Sequence, residues 1–308
     1  MYYPYLRGKR HELSALRKTA PKFSSDKFAP IIEPVKANLN ELISTVDELN
    51  KNSIVPLIIV NPIVGELSKQ LPNMILPSLY KNNLNVIPCI LFNNNNCQQA
   101  LQLANQYITS KVKFTIYVNE GLSLNISHLL NASAVNIIKD TASVSAAVVA
   151  ATPNLVILKD PFPVYPRNAD YPNTPNPFSD AHLTFKNNPN QIGFGDFTIV
   201  GETWSENGGP ARAVAIHITY INSQQMNMIY IKHCVSTINS GSVNDPASKF
   251  LEALQQLMSF AQATPSLDQT TIGFQSFVDL YNRKHYPNLG PVKENSIMHH
   301  METIVGFL

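Results

Sequence analysis

Short apolar runs, rich in β-branched residues, recur along the first half of the chain: FAPIIEP, IVPLIIVNP, NVIPCILFN, KFTIYVN, AVNIIKD and NLVILKDP. Stretches of helical length separate them, and two of these, NLNELISTVDELN and NCQQALQLANQYI, place their apolar residues on one helical stripe. Runs that are apolar at nearly every position are typical of parallel strands covered by helices on both faces. The pattern therefore predicts an α/β fold built from βα units.

A polar residue ends each predicted strand, and these residues are Glu33, Asn61, Asn93, Asn119, Asp140 and Asp160. In a (β/α)8-type barrel the carboxyl ends of the strands meet at one mouth, where such folds carry their sites. A doubly wound open sheet is the alternative, but its first βα turn usually carries a glycine-rich phosphate loop. The corresponding turn here, IIEPVKANLN, has no glycine. The barrel is therefore the favoured fold.

The later part of the chain differs from the first half in its composition and in its pattern of apolar residues. Residues 161–190 are rich in proline and asparagine, which predicts a long loop excursion, either a lid over the barrel mouth or a variable loop without a role. The segment ARAVAIHITYINSQQMNMIYIKHCVS predicts an antiparallel hairpin, and ASKFLEALQQLMSFA and SIMHHMETIVGFL predict closing helices. We expect a single α/β barrel-like domain over residues 1–308, with one sheet over roughly 28–240.

Composition narrows the function classes. The 308 residues are 44% hydrophobic and 14% charged, with a net charge of +2, which indicates a large core and argues against direct DNA binding. No continuously apolar run approaches the roughly 20 residues that span a bilayer, and the first residues lack the apolar core of a signal peptide. We therefore expect a cytoplasmic protein with no membrane segment. Its three cysteines are too few and too scattered for a disulfide framework.

Three acidic residues are the first candidates for catalysis: Glu33, Asp160 and Asp196. A carboxylate at a strand end is solvated, paired or liganded, and desolvation raises its pKa toward general acid or base use. Two or three converging carboxylates also bind Mg²⁺ or Mn²⁺, whereas strand-end acids often only cap the next helix. We expect these three side chains to open at the same end of the barrel.

The remaining candidate site residues are one histidine, four cationic residues and the tryptophan. His217 lies on the first hairpin strand, on the face opposite its apolar residues, and is a fourth catalytic candidate. The absence of HExxH and CxxC spacings argues against zinc. The candidate ligand-binding residues are Arg7, Lys9, Lys159, Trp204 and Arg212. Arg7 can grip a carboxylate or phosphate with two donors, or form a structural ion pair.

The opening YYPYLRGKRHELSALRK and FAPIIEPV resemble the start of the bacterial and phage beta-protein family. The blocks GFGDFTIVGE, AVAIHITYI and SIMHHME resemble later parts of one branch of that family. The resemblance implies a barrel-like α/β protein with a role in antiviral defence or mobile elements, encoded beside a nuclease-type partner protein. It supplies no substrate and no catalytic residues.

Two functions follow as hypotheses. The chain is either a barrel enzyme that acts on a phosphorylated or nucleic-acid-derived small molecule, or a non-catalytic sensor or specificity subunit that binds the nuclease-type partner.

Overall fold

The computed structural model of the protein describes residues 1–69, 74–140, 142–206, 212–238 and 241–308. The chain divides into two compact units, one formed by Met1–Asp160 and Ala181–Phe197 and the other by Pro161–Asp180 and Thr198–Leu308. From the sequence we expected one domain over residues 1–308. The chain leaves the first unit after Asp160, returns to it at Ala181, and leaves it again after Phe197.

The described strands are, in chain order, β1 (Tyr5–Arg7), β2 (Ile31–Glu33), β3 (Leu57–Ile59), β4 (Ile87–Phe92), β5 (Thr115–Val118), β6 (Asn136–Lys139), β7 (Leu155–Lys159), β8 (Asn176–Ser179), β9 (Gln191–Asp196), β10 (Ala215–Asn222) and β11 (Met228–Val235). The described α-helices are α1 (Arg10–Thr19), α2 (Asn40–Lys51), α3 (Leu76–Lys81), α4 (Cys97–Thr109), α5 (Ser127–Ala132), α6 (Ala146–Ala151), α7 (Ala181–Thr184), α8 (Pro246–Ala263), α9 (Ile272–Asn282) and α10 (Leu289–Phe307). No helix in the described residues is both long enough and apolar enough to cross a bilayer.

The first unit is a nearly closed barrel of eight parallel strands in the order β1-β2-β3-β4-β5-β6-β7-β9, with helices between them. The backbone at the start of the chain meets the last strand: the Tyr3 N–H donates to the Phe194 carbonyl at 2.8 Å, and the Phe194 N–H donates to the Met1 carbonyl at 3.1 Å. The predicted (β/α)8-type fold is therefore confirmed. Each of the predicted strands up to residue 160 is present as one of β2 to β7.

One strand and one helix were not expected. The stretch before Ile31 forms β1 and α1, and β1 pairs in parallel with β2 through Tyr5 with Ile31 and Arg7 with Glu33. Glu33 therefore ends the second strand of the barrel rather than the first. Arg7, one of the candidate ligand-binding residues, is itself a strand residue.

Side chains of alternate strand residues fill the barrel interior. This buried cluster contains Tyr3, Tyr5, Ile31, Leu57, Ile59, Cys89, Leu91, Tyr117, Val135, Ile137, Val156, Leu158 and Phe197. The predicted helical stripes face the sheet as expected, since Leu42, Val46 and Leu49 of α2 are buried. Because strand side chains alternate between faces, Glu33 lies on the same inward face as Ile31.

The second unit is built on a three-stranded antiparallel sheet in the order β10-β11-β8. The predicted hairpin is confirmed as β10 and β11, whose inward residues Ile216, Ile218 and Tyr220 join a core with α8, α9 and α10. Our expectation of one barrel sheet over roughly 28–240 is wrong, because the hairpin belongs to this separate sheet.

The proline-rich segment is partly regular. Residues 161–190, which we predicted as a loop excursion, contain β8 and α7. Its first part is tied to the hairpin, since the Lys232 ammonium donates to the Asn173 side-chain oxygen at 2.7 Å and also to the Asn173 carbonyl. In this segment the prolines interrupt regular pairing, but residues between them still add a strand to the sheet edge.

A buried histidine links three elements of the second unit. The Nε2 atom of His299, in α10, lies 2.7 Å from the Thr219 carbonyl of β10. Because a carbonyl oxygen only accepts, Nε2 carries the proton. The neutral ring then accepts at Nδ1 from the Thr271 hydroxyl at 2.7 Å, and the Thr271 oxygen in turn accepts from the Phe274 N–H at the start of α9.

Candidate active site

The candidate site lies at the carboxyl end of the barrel strands, around Glu33 of β2. The Glu33 side chain is 1% exposed, although it is the last residue of its strand. A carboxylate in that position is costly unless polar groups satisfy it. Its partners therefore decide what it can do.

Several groups contact the Glu33 carboxylate, and the Val64 N–H is one of them. The Tyr5 hydroxyl donates to Oε2 at 2.8 Å, and the Ile63 N–H, from the loop after β3, donates to Oε1 at 2.9 Å. The Arg7 Nε lies 3.6 Å from Oε2. These groups come from β1 and from the loop after β3, and because both strands pair in parallel with β2, the pairing brings them to Glu33.

Burial and partners act on the Glu33 pKa in opposite directions. Burial raises the pKa, while the Ile63 N–H, the Tyr5 hydroxyl and the Arg7 charge lower it, and the net direction is upward. The pKa of Tyr5 is also raised, first by burial and then by the Glu33 charge, so this hydroxyl keeps its proton and remains a donor. A carboxylate with a raised pKa beside a fixed donor and a cation is the arrangement that general acid or base catalysis uses.

Aromatic rings surround Tyr5. The Tyr5 ring centroid lies 5.6 Å from that of Tyr117 and 4.8 Å from that of Phe197. The Tyr117 hydroxyl donates to the Asn119 side-chain oxygen at 2.9 Å, just beyond the end of β5. The inner end of the site is therefore apolar with a small number of oriented polar atoms, as is common in small-molecule sites.

Asp196 lies at the predicted end of the barrel but on the other face of the sheet. Register pairs Lys159 with Asp196 and Leu158 with Gly195. Because Leu158 belongs to the interior cluster, Gly195 faces inward and Asp196 faces outward. There the buried Asp196 accepts from the Tyr2 hydroxyl at 2.6 Å. Glu33 and Asp196 thus end their strands at the same end of the barrel, as we expected, but their side chains lie on opposite faces of the sheet.

The other predicted site residues are divided between the two units. Asp160 is exposed directly after β7, and Lys159 and Lys9 are half-buried. Trp204, Arg212 and His217 belong to the second unit, where Arg212 donates to the Gly241 carbonyl at 3.3 Å.

Several strand-end asparagines have structural partners. The Asn61 amide donates to the Leu91 carbonyl at 2.8 Å and accepts from the Leu91 N–H at 2.9 Å, which extends the pairing of β3 with β4. Asn93 and Asn96 each accept from the other's backbone N–H at 2.9 Å. These amides hold the loops at the mouth in place, and they leave Glu33, Tyr5 and Arg7 as the chemically distinctive group.

The described residues at the barrel mouth do not provide a complete set of metal ligands. Across residues 1–69, 74–140, 142–206, 212–238 and 241–308, no three side chains of His, Cys, Asp or Glu are grouped to hold an ion. The three carboxylates that we considered as an Mg²⁺ or Mn²⁺ site are divided between the two faces of the sheet.

Comparison of the chain with protein-family models and with curated proteins finds no match. The resemblance to the beta-protein family, together with the partner and biological role that it implies, therefore stays a prediction.

Proposed function

We propose that the first unit is an enzyme that binds a phosphorylated or nucleic-acid-derived small molecule at the barrel mouth. In this proposal Glu33 takes or gives a proton as general base or acid, and Arg7 binds the anionic group of the substrate. The observation that supports it is the buried Glu33 carboxylate, whose pKa is raised despite contacts with Tyr5 and Arg7. Strand-end residues at this pole are where barrels of this type carry their chemistry.

The proposed biological setting comes from the sequence resemblance. A substrate of this class fits a component of a phage-defence or mobile-element system, which acts beside a nuclease-type protein. The proposal for the chemistry stands on the Glu33 contacts alone and can be tested without that setting.

A second candidate function is a non-catalytic sensor or specificity subunit that binds the nuclease-type partner. It is favoured by two apolar residues in the proline-rich segment, Val164 and Tyr165, which are 58% and 38% exposed. Exposed apolar residues next to each other in an ordered segment are suited to a protein contact. In that case the chemistry lies in the partner.

The first test is a ligand screen by thermal shift. Nucleotides, sugar phosphates and inorganic phosphate are added to the whole chain and to an Arg7→Gln variant. A ligand at 100 times its dissociation constant should stabilise the whole chain by about 2.7 kcal/mol, and Arg7→Gln should remove most of that shift. If no compound stabilises the protein, or if Arg7→Gln responds as the whole chain does, Arg7 does not bind the substrate anion.

The second test is Glu33→Gln, with Asp47→Asn on the exposed face of α2 as the matched control. Glutamine keeps the shape of Glu33: its one oxygen can still accept from the Ile63 N–H, and its NH2 group takes the place of Oε2, where it can donate to the Tyr5 hydroxyl oxygen. Loss of a general acid or base lowers turnover by about 100-fold or more, whereas the control should keep full activity. The readout is turnover of the ligand found in the screen, or protection against phage with the neighbouring gene present. Full activity of Glu33→Gln with lowered stability would assign Glu33 to holding β1, β2 and the loop after β3 together.

A further inference from the structure

The two histidines of the hairpin face each other in the second unit. His217 of β10 and His233 of β11 are directly opposite in the antiparallel register, and their Nδ1 atoms lie 2.7 Å apart. The His233 ring is fully buried, and its Nε2 has no hydrogen-bond partner among the described residues. A buried imidazole with one nitrogen on another imidazole and the other unsatisfied calls for an explanation beyond packing.

The contact requires two neutral rings of opposite tautomers. One Nδ1 must carry the proton and donate it, while the other must present its lone pair. Burial lowers the pKa of both rings, well below the ordinary value for His217 and to about 4 for His233. At neutral pH the pair therefore carries no charge, and neutral imidazole is the form that binds metal ions.

The spacing of the two nitrogens matches a metal geometry. A bond from a metal ion to an imidazole nitrogen is about 2 Å long, so two such bonds at a right angle place the nitrogens about 2.8 Å apart. The observed separation of 2.7 Å is close to this value. Right-angled coordination by nitrogen and oxygen ligands is characteristic of Cu²⁺ and Ni²⁺.

Aromatic side chains enclose the pair. The Tyr171 ring centroid lies 4.7 Å from that of His217 and 4.6 Å from that of His233, and Phe162 packs edge-on to His217 at 5.0 Å. These rings fix the orientation of both imidazoles. His217 is nevertheless partly exposed, which leaves a route for an ion.

We propose that His217 and His233 form a two-imidazole site for a Cu²⁺-class transition-metal ion, bound through both Nδ1 atoms. On binding, the ring that donates from Nδ1 changes tautomer: its proton leaves Nδ1 for solvent and solvent returns a proton to Nε2 of the same ring, so both rings are neutral and protonated at Nε2 with no net release of a proton. Solvent or a further ligand takes the remaining positions on the ion. The charges of Lys232 and Lys293 disfavour additional positive charge at this pair, so we expect moderate rather than tight affinity. The site is independent of the proposed barrel chemistry.

The test is titration of the metal-free whole chain with CuSO₄, followed by electron paramagnetic resonance. We expect one equivalent of Cu²⁺ to show hyperfine coupling to two imidazole nitrogens. His217→Gln and His233→Gln should each weaken binding at least tenfold and remove one nitrogen from the spectrum. The matched controls are His128→Gln and His285→Gln, since both histidines are exposed, and these variants should bind as the whole chain does.

Several outcomes would overturn the proposal. Coupling to fewer than two nitrogens in the unmodified protein would do so, as would unchanged spectra in both hairpin variants or loss of binding in a control. If His233→Gln does not fold, the nitrogen count of the unmodified protein and the behaviour of His217→Gln, whose ring is partly exposed, decide the question. In those negative cases the pair is a hydrogen bond that only joins β10 to β11.

Discussion

Acid should destabilise the second unit through His299 of α10. This ring is fully buried, and both of its nitrogens are engaged, one by the Thr219 carbonyl and the other by the Thr271 hydroxyl. Burial lowers its pKa from the ordinary 6.5 to about 4. A protonated ring would present an N–H to the Thr271 hydroxyl and would carry a charge in the core. The folded state therefore binds this proton much more weakly than the unfolded chain does.

The sign and size of the effect follow from this difference. Because the folded pKa is the lower one, the contribution of His299 is fully present above pH 6.5 and is lost as the pH falls toward 4. Two and a half pKa units correspond to about 3 kcal/mol in total, of which about 2 kcal/mol is lost between pH 7.5 and pH 5. That is a large share of the 5–15 kcal/mol that stabilises a typical domain.

Urea unfolding at pH 7.5, 6 and 5 measures the effect, with the fluorescence of Trp204 as the signal. Trp204 is the one tryptophan of the chain and belongs to the same unit as His299. His299→Gln keeps a donor and an acceptor but does not titrate, so its unfolding free energy should fall by about 2 kcal/mol less than that of the unmodified chain over this range. His285→Gln, which changes an exposed histidine, should fall as the unmodified chain does. Parallel pH profiles for His299→Gln and the unmodified protein would refute the reasoning.

Two further predictions concern packing and a buried hydrogen bond. Gly273→Ala should destabilise the second unit by about 1–3 kcal/mol in urea unfolding, because a Cβ there would overlap the backbone of α10, whereas Gly306→Ala, where the added methyl meets nothing, should not destabilise it. Tyr2→Phe should lower the melting temperature of the first unit, with a loss of about 1–3 kcal/mol, because it removes the hydroxyl that donates to the buried Asp196 carboxylate. Equal stability of Gly273→Ala or of Tyr2→Phe to the unmodified chain would contradict the corresponding contact.

The barrel could be predicted from the sequence because most of its strands are continuous apolar runs followed by a polar residue. The first strand escaped prediction because the stretch around β1, YYPYLRGKR, has no β-branched residues, whereas the equally short β2 and β3 lie in runs of isoleucine and valine. Such a strand has no periodic signal of its own and exists because β2 pairs with it. The contacts of Glu33 with Tyr5 depend on that pairing and were hidden for the same reason.

The outward orientation of Asp196 was hidden for a different reason. In β9 the inward positions are Gly193 and Gly195, while Phe194 and Asp196 face outward. The alternation of apolar and polar residues in β9 therefore does not indicate which face of the strand points into the barrel. The glycines are there because a Cβ on Gly193 would overlap the Tyr3 ring, and one on Gly195 would overlap the Tyr3 carbonyl. This steric requirement is imposed by Tyr3, near the start of the chain, and it leaves no pattern in the sequence around β9.

The joining of residues 1–3 to Phe194 also sets an order of events on the ribosome. The Tyr3 amide finds its partner carbonyl only after 191 further residues have been made, as is also true of the Met1 amine and Ile192. At about 5–20 residues per second this takes roughly 10–40 s. During that interval β1 has β2 on one side and an unpaired edge on the other, an edge that can pair with other chains. The nascent protein is thus most exposed to misassembly before β9 emerges, and slow translation between residues 160 and 196 would prolong that exposure.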